Sequence, residues 1–156
     1  MASGPEYNKE LARLQRLCVR RECCRRELES KALKALDGDA SLAGELVASL
    51  VADGFCDDLR YAGAYVREKS SLSGWGPVKI RAMLLSKGIS PDVVSEALEE
   101  MDTERACQKL ERLIQARGRS LGGDPAARPK LLRYALSRGF SYEQAVAATD
   151  KYLNTI

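Results

Sequence analysis

Apolar residues recur along this chain at helical intervals, and no stretch shows the alternation of a half-buried strand. Leu11, Leu14 and Leu17 are the first example, because a helix would place all three on one face. Similar stripes continue to the C-terminus, and turn signals separate each stripe from the next. We therefore predict an all-α fold of about nine helices without a confident strand.

Capping residues, prolines and glycines predict where the helices begin and end. Asp57 suits the N-cap of the fourth helix, and Pro77 suits the first turn of the fifth. Ser141 and Gln144 form a capping box for the ninth. The other predicted starts are Glu10, Glu22, Ser41, Ser90-Pro91, Asp102 and Pro129, and the predicted ends are Leu17, Gly38, Gly54, Gly74, Gly88, Arg117, Gly139 and Tyr152, with a glycine-rich connector over residues 118–128.

Three segments that begin near Leu28, Ile80 and Leu131 resemble one another. In the last two, the apolar residue is followed eight positions later by a glycine, then by an apolar residue and a serine cap. The anchors lie 52 and 51 residues apart, so we predict three tandem three-helix repeats stacked into an elongated, curved body. The first segment fits least, because Leu36 stands at its glycine position. The predicted repeats cover residues 1–54, 55–101 and 102–156.

Composition excludes several classes of chemistry. The chain has no histidine, and so lacks the commonest general base and metal ligand. Its five cysteines, Cys18, Cys23, Cys24, Cys56 and Cys107, form no CxxC pair and follow no secretory signal. We expect reduced, mostly buried thiols, no metal, no cofactor and no enzymatic activity. With no apolar run long enough for a bilayer, we expect a cytoplasmic protein without membrane contact.

Two segments combine glycines with residues that could bind a ligand. The segment Gly118-Arg-Ser-Leu-Gly-Gly-Asp lacks the Lys-Ser/Thr pair of a phosphate loop, so we interpret it as a connector. Trp75 lies in a sharp Gly-Trp-Gly-Pro turn, where an indole can either cover the core or project as a binding anchor. The sequence leaves these two roles for Trp75 open.

Charge is arranged in blocks, although the net charge is only +3. Residues 67–90 carry five basic residues against one acidic residue, and residues 105–140 carry nine against two. Residues 91–104 carry six acidic residues and no basic residue. Basic blocks suit phosphates, whereas acidic blocks are repelled by bare DNA, so the mixture favours a protein surface or a protein–DNA complex. The alternative is that the blocks are solvated helix faces and salt bridges between repeats.

The central part of the chain resembles the RecX regulatory family. The residues that carry the resemblance are Gly54-Phe55-Cys56-Asp57-Asp58-Leu59-Arg60-Tyr61-Ala62, Tyr65-Val66-Arg67, Gly76-Pro77-Val78-Lys79-Ile80, Leu84 and Lys87-Gly88-Ile89. Weaker similarity extends over residues 12–153, and Met83, Trp75 and the Cys23-Cys24 pair depart from the family pattern. The framework residues that the resemblance implies are Asp58, Tyr61, Ala62, Gly76, Pro77, Ile80, Leu84 and Gly88.

The resemblance implies three tandem three-helix repeats and a non-enzymatic protein that binds the RecA recombinase and its filament on DNA. Such a protein would inhibit filament growth, ATP hydrolysis, strand exchange and coprotease activity, and we expect it to be a monomer. The alternative is a stand-alone helix-turn-helix-type DNA-binding module, although its reader helices would lack a base-reading Asn/Gln-Arg array. The basic residues that we predict to contact a recombinase or phosphates are Arg67, Lys69, Lys79, Arg81, Lys87, Arg128, Lys130 and Arg133.

Overall fold

The computed structural model describes residues 4–156, and this part of the chain contains nine α-helices and no strand. The all-α prediction is therefore confirmed. The helices are α1 (Gly4–Arg20), α2 (Arg25–Ala35), α3 (Ala40–Ala52), α4 (Asp58–Ser71), α5 (Pro77–Ser86), α6 (Pro91–Glu99), α7 (Thr103–Leu121), α8 (Ala127–Ser137) and α9 (Tyr142–Thr155). Within residues 4–156, no helix combines the length and apolar character that crossing a bilayer requires.

Several helix starts agree with the predicted capping residues. The Asp57 carboxylate accepts a hydrogen bond from the backbone N–H of Arg60 at 3.1 Å, and Pro77 is the first residue of α5. Asp102 caps α7 in the same way as Asp57 caps α4. The Ser141 hydroxyl caps α9, and the side chain of Gln144 accepts from the Ser141 N–H in return. Short-range capping signals thus identified these ends correctly.

Several predicted boundaries are wrong. The first helix spans Gly4–Arg20 rather than Glu10 to Leu17, and α2 begins at Arg25 rather than at Glu22. Asp39 caps α3, rather than Ser41, because its carboxylate accepts from the Leu42 N–H at 3.1 Å.

The predicted connector over residues 118–128 is mostly helical, since α7 continues to Leu121 and α8 begins at Ala127. Gly118 lies inside α7, where Tyr152 of α9 packs against it. A Cβ at this position would lie 2.3 Å from the tyrosine ring, which explains why the residue is glycine. This glycine makes room for a neighbour and does not end a helix.

The described chain divides into two compact units. Unit 1 comprises Met1–Ala64 and Leu84–Glu96, and unit 2 comprises Tyr65–Met83 and Ala97–Ile156. The boundaries fall inside α4, α5 and α6, so each unit holds one terminal three-helix group together with part of the middle helices. The three-repeat boundaries stay a prediction.

Each unit has its own apolar core. In unit 1, Leu14, Leu28 and Leu46 bring α1, α2 and α3 together, and all three side chains are fully buried. In unit 2, Leu110 and Leu131 do the same for α7 and α8. Burial of one such leucine contributes roughly 1.5–3 kcal/mol, so these stripes supply the main stabilisation of both helical groups.

The repeat anchors are buried alike, but the ends of their helices differ. Gly88 after α5 and Gly139 after α8 have φ of 82° and 95°, a region that disfavours other residues. Arg26, in the first turn of α2, packs against Gly88, and Lys79, in the first turn of α5, packs against Gly139. The end of α2 is built differently, because Leu36 is fully buried and the chain turns at Asp37 and Gly38.

Candidate partner-binding surface

The most specific sequence motif forms the turn between α4 and α5. The Leu72 N–H makes the last helical hydrogen bond of α4, to the Glu68 carbonyl at 2.8 Å. The Trp75 N–H then donates to the Lys69 carbonyl at 2.9 Å. Gly74 supports this turn with φ of 68°, and Pro77 starts the next helix. The turn therefore holds Trp75 beside the last turn of α4 by backbone hydrogen bonding.

Backbone contacts fix this turn against the end of α8 within unit 2. The Gly76 N–H donates to the Arg138 carbonyl at 2.8 Å, and the Val78 N–H donates to the Gly139 carbonyl at 2.9 Å. The Arg138 side chain also donates to the Ser73 carbonyl. A Cβ on Gly76 would lie 2.5 Å from the Gly139 carbonyl oxygen, so only glycine allows this approach. The Gly-Pro pair of the motif thus has a structural role.

Trp75 lies at the centre of a group of aromatic and basic side chains that we call the indole–lysine cluster: Tyr65, Lys69, Trp75 and Lys79. The ammonium groups of Lys69 and Lys79 lie 4.9 and 4.3 Å from the centre of the indole ring. Tyr65 packs edge-on, with its ring centroid 6.4 Å from that of Trp75. Such contacts hold a cation over an aromatic face and contribute about 0.5–1 kcal/mol each where solvent reaches them.

The indole–lysine cluster lies at the surface and combines aromatic rings with positive charges. Trp75, Lys69 and Lys79 are all half-buried, so the indole neither belongs fully to the core nor projects freely. Burial raises the pKa of the Tyr65 hydroxyl, and the negative charge of Glu68 acts in the same direction. The Tyr65 side chain is therefore uncharged and lies beside two positively charged lysines. An aromatic face with fixed cations suits a partner that carries carboxylates or phosphates.

The other predicted contacts on the middle helices are divided between the units. Arg67 and Arg81 belong to unit 2, and both are exposed. Lys87 belongs to unit 1, where it lines a cleft of about 410 Å³ with Arg21, Arg26 and other residues. The predicted residues thus contribute to two basic surfaces, one in each unit.

Two of the predicted contacts on α8 are engaged within the chain. Arg128 forms an ion pair with Asp150 of α9 at 3.0 Å, and Lys130 pairs with Asp124 at 2.5 Å. The hydrogen bond from Lys130 lowers the pKa of the Asp124 carboxyl. Arg133 is exposed on the same helix. Part of this charge block therefore forms ion pairs within the C-terminal helical group, rather than the salt bridges between repeats that the alternative interpretation predicted.

Most of the predicted framework residues of α4 and α5 pack inside the units to which they belong. Ala62, Ile80 and Leu84 are fully buried, and Tyr61 is half-buried. Asp58 has a more specific role, since its carboxylate accepts a hydrogen bond from the Arg25 N–H at 2.8 Å. It thus caps α2 from a distant position in the chain, where the residue before α2 provides no side-chain cap.

Sequence reasoning missed an arginine network in unit 1. Arg60 donates to both Glu22 carboxylate oxygens at 2.7 and 2.8 Å, and to the carbonyls of Gly54 and Phe55. The only feature of the sequence that could have indicated a role for Arg60 is that it is the single basic residue among residues 37–66. It also missed Tyr65 as a member of the indole–lysine cluster, because no local pattern reveals a contact across a turn.

These features define a class: an all-helical protein that carries basic and aromatic clusters at its surface and for which no catalytic arrangement is apparent among the described residues. A family model described as RecX, second three-helix domain, matches residues 57–98. The chain is 38% identical to Regulatory protein RecX of Chromohalobacter salexigens, over 83% of each chain. It is 34% identical to Regulatory protein RecX of Xanthomonas campestris pv. campestris, over 90% of this chain and 88% of the relative. The chain belongs to the RecX family of regulatory proteins.

Solved structures show the same fold. Crystal structures of RecX from Lactobacillus salivarius and of another regulatory protein RecX superpose with TM-scores of 0.84 and 0.82. The first alignment covers 99% of this chain and all of the other, and the second covers 93% of this chain and 72% of the other. Sequence identities are 24% and 22%, so the helical framework is retained while most side chains differ.

Proposed function

We propose that this chain is a non-enzymatic cytoplasmic regulator that binds the RecA recombinase and its filament on DNA. Binding inhibits filament growth, ATP hydrolysis, strand exchange and coprotease activity. Membership in a family of regulatory proteins, at 34–38% identity over most of the chain, is the observation that carries this proposal. The basic and aromatic surface clusters support it, because they offer contacts for acidic protein surface or phosphate.

The indole–lysine cluster is the proposed centre of contact in unit 2. Lys69 and Lys79 are held over the Trp75 ring, so less side-chain freedom is lost when an anionic group binds them. Arg67 and Arg81 extend the positive charge along the same helices. In this proposal the indole ring is buried against the partner, and the surrounding cations determine how the partner is aligned and how fast it associates.

Recombinase ATP hydrolysis on single-stranded DNA tests the function directly. We expect the intact protein to slow hydrolysis at amounts well below those of the recombinase, and to shorten filaments in electron micrographs. Unchanged hydrolysis and unchanged filament length would reject the proposed function. Tight, sequence-selective binding to DNA without recombinase would instead favour the helix-turn-helix alternative.

A matched pair of double variants tests the contact surface. Lys69→Gln with Lys79→Gln removes two charges from the cluster, and we expect inhibition to weaken by about tenfold or more. Arg128→Gln with Lys130→Gln removes the same charge from side chains that already pair within the chain. We expect the second variant to change inhibition by less than about threefold. A larger loss of inhibition in the Arg128/Lys130 variant than in the Lys69/Lys79 variant would place the contact surface on α8 instead.

A further inference from the structure

We infer that unit 1 carries a binding site for single-stranded nucleic acid, in which basic side chains along α2 hold the sugar–phosphate backbone of one strand. We call this site the α2 groove, and its cations are Arg13, Arg21, Arg26, Lys31, Lys34 and Lys87. The inference goes beyond the proposed function, because the α2 groove would bind a strand without any recombinase. The groove also belongs to a different unit from the indole–lysine cluster.

The α2 groove consists of two adjoining clefts in unit 1. The first, of about 620 Å³, lies between α1 and α2, and its cations are Arg13, Lys31 and Lys34. The second has a volume of about 410 Å³, and its cations are Arg21, Arg26 and Lys87. Glu27 and Ser30 line both clefts, and together with Lys34 they recur at helical intervals on one face of α2. The cations on either side of this face therefore border one continuous groove.

The groove carries more positive than negative charge. Among the described residues that line it, the six cations are opposed by two carboxylates, those of Glu10 and Glu27. Glu10 accepts two hydrogen bonds from Arg13, at 2.6 and 2.9 Å. Glu27 accepts two from Arg21, at 2.5 and 3.1 Å. The lining thus holds four more positive than negative charges, and this excess attracts a polyanion.

Cations of both clefts act on the same carboxylate. The hydrogen bond from Arg21 lowers the pKa of Glu27, burial opposes this change, and the positive charges of Lys31 and Lys87 act in the same direction as Arg21. Lys31 lines the first cleft and Lys87 lines the second. The positive potential is therefore shared across Glu27, and a strand that follows the groove meets the cations of both clefts.

Two of the arginines are held in position within the chain. Arg26 donates a hydrogen bond from Nη1 to the Ser86 carbonyl at 3.0 Å, and Arg21 is held by Glu27. A guanidinium has five N–H donors, so Arg26 retains others that a phosphate oxygen can accept from. Because these side chains are already restrained, less conformational freedom is lost when a strand binds.

The lining favours a nucleic-acid strand over a protein segment. Apart from Tyr61, its apolar side chains among the described residues are Cys24 and Ala35, so it offers no pocket for a large apolar anchor. The half-buried Tyr61 ring gives a base a surface for stacking beside the cations. From Arg26 to Lys34, α2 rises by about 12 Å, a length over which several phosphates of one strand follow one another. A flexible strand can follow this concave path, whereas a duplex resists bending over so short a length.

Fluorescence anisotropy of a labelled strand tests the α2 groove in the absence of recombinase. The probe is fluorescein-labelled oligothymidylate of about 15 nucleotides, within the range that a small single-strand site covers. For the intact protein we expect a dissociation constant on the order of 10 µM at physiological salt. The logarithm of the association constant should fall against the logarithm of salt concentration with a slope of about −3, as for four neutralised phosphates. A slope shallower than about −1 would overturn the inference without any variant.

Matched double variants locate the binding. Lys31→Gln with Lys34→Gln removes two charges from the first cleft, and we expect about tenfold weaker binding and a slope of about −1.5. Arg112→Gln with Arg119→Gln removes the same charge from exposed positions of α7 in unit 2, and should weaken binding by less than about threefold. Equal losses would mean diffuse attraction by net charge and would reject the site.

A third double variant tests the continuity of the groove. Arg26→Gln with Lys87→Gln removes two charges from the second cleft, and we expect a loss of about tenfold again, because the strand follows both clefts. Unchanged binding in this variant would reject the continuous groove. Far-UV circular dichroism of each variant checks that the helices are retained.

Unlabelled competitors define what the groove holds. A mixed-sequence strand should displace the probe about as well as oligothymidylate does, and a duplex of the same length at least about fivefold less well. Stronger displacement by the duplex, or a clear sequence preference, would contradict the inference. Slowed recombinase ATP hydrolysis without strand binding would reject only the α2 groove. Strand binding without any effect on hydrolysis would reject only the proposed function.

Discussion

The ends of α5 and α8 share a sequence pattern but differ in what packs on them. Gly88 and Gly139 each follow a buried apolar anchor by eight residues, and both have positive φ. At Gly88 the nearest group is the Arg26 side chain, with its Cδ 2.7 Å from a hypothetical Cβ. At Gly139 that Cβ would lie 2.2 Å from the Lys79 Cβ and 2.9 Å from the Lys79 backbone nitrogen.

The same sequence pattern thus occurs at one helix end that is tightly constrained by its neighbours and at one that is loosely constrained. A flexible arginine can move away from an added methyl group, whereas a backbone held by hydrogen bonds cannot. The Gly139 junction therefore fixes the turn that holds the indole–lysine cluster, and the Gly88 junction tolerates adjustment. Four variants separate the contributions of backbone conformation and close packing, and all are measured as free energies of unfolding from urea titrations.

Gly139→Ala should have the largest effect. The variant combines an unfavourable positive φ with a collision against the Lys79 backbone, so we expect a loss of about 3–4 kcal/mol. The variant should also increase solvent exposure of Trp75, which a red shift in tryptophan fluorescence would report. A loss below about 1 kcal/mol would mean that the junction can open without cost to the rest of unit 2.

Gly76→Ala isolates the steric part of the same junction. Gly76 is outside the positive-φ region, so only close contacts oppose the added methyl group: the Gly139 carbonyl oxygen at 2.5 Å and the Phe140 ring at 2.7 Å. We expect a loss of about 2 kcal/mol, smaller than that of Gly139→Ala. If the two losses were equal, backbone conformation would contribute nothing at Gly139.

Gly88→Ala should cost less than either, about 1–2 kcal/mol, because Arg26 can move aside. Gly38→Ala is the matched control, since Gly38 has φ of 80° and no atom within 4 Å of a Cβ. It should cost about 1 kcal/mol from conformation alone. Adding Arg26→Ala to Gly88→Ala should remove the steric part and bring the penalty of the alanine close to that of the control.

Asp58→Ala should have a small effect, about 1 kcal/mol and similar to that of Gly38→Ala, by removing the distant cap of α2. Ser141→Ala provides the comparison, because it removes a local cap from α9 in unit 2. Equal losses would show that a cap from a distant residue is worth as much as a local one. A loss at Asp58 several times larger would mean that this carboxylate also holds α4 in place.

Much of the helical framework was predictable because the signals are local. Pro77, Asp102 and the Ser141–Gln144 box act on backbone groups within a few residues, so their sequence neighbours suffice to predict them. Asp39 was missed because Ser41, two residues later, is an equally good capping residue. The error at Gly118 has a different origin, since the reason for that glycine is Tyr152, which lies 34 residues away.

The sequence by itself determined the class of fold, the buried anchors and the resemblance to the RecX family, since periodicity and motif order are properties of the chain alone. Tertiary structure decided the rest. It placed Lys69 and Lys79 on the Trp75 ring, paired Arg128 and Lys130 with carboxylates, and brought the Asp58 carboxylate to the start of α2. Each of these contacts depends on which elements pack together, and the local sequence around a charged side chain does not reveal the partner that it meets.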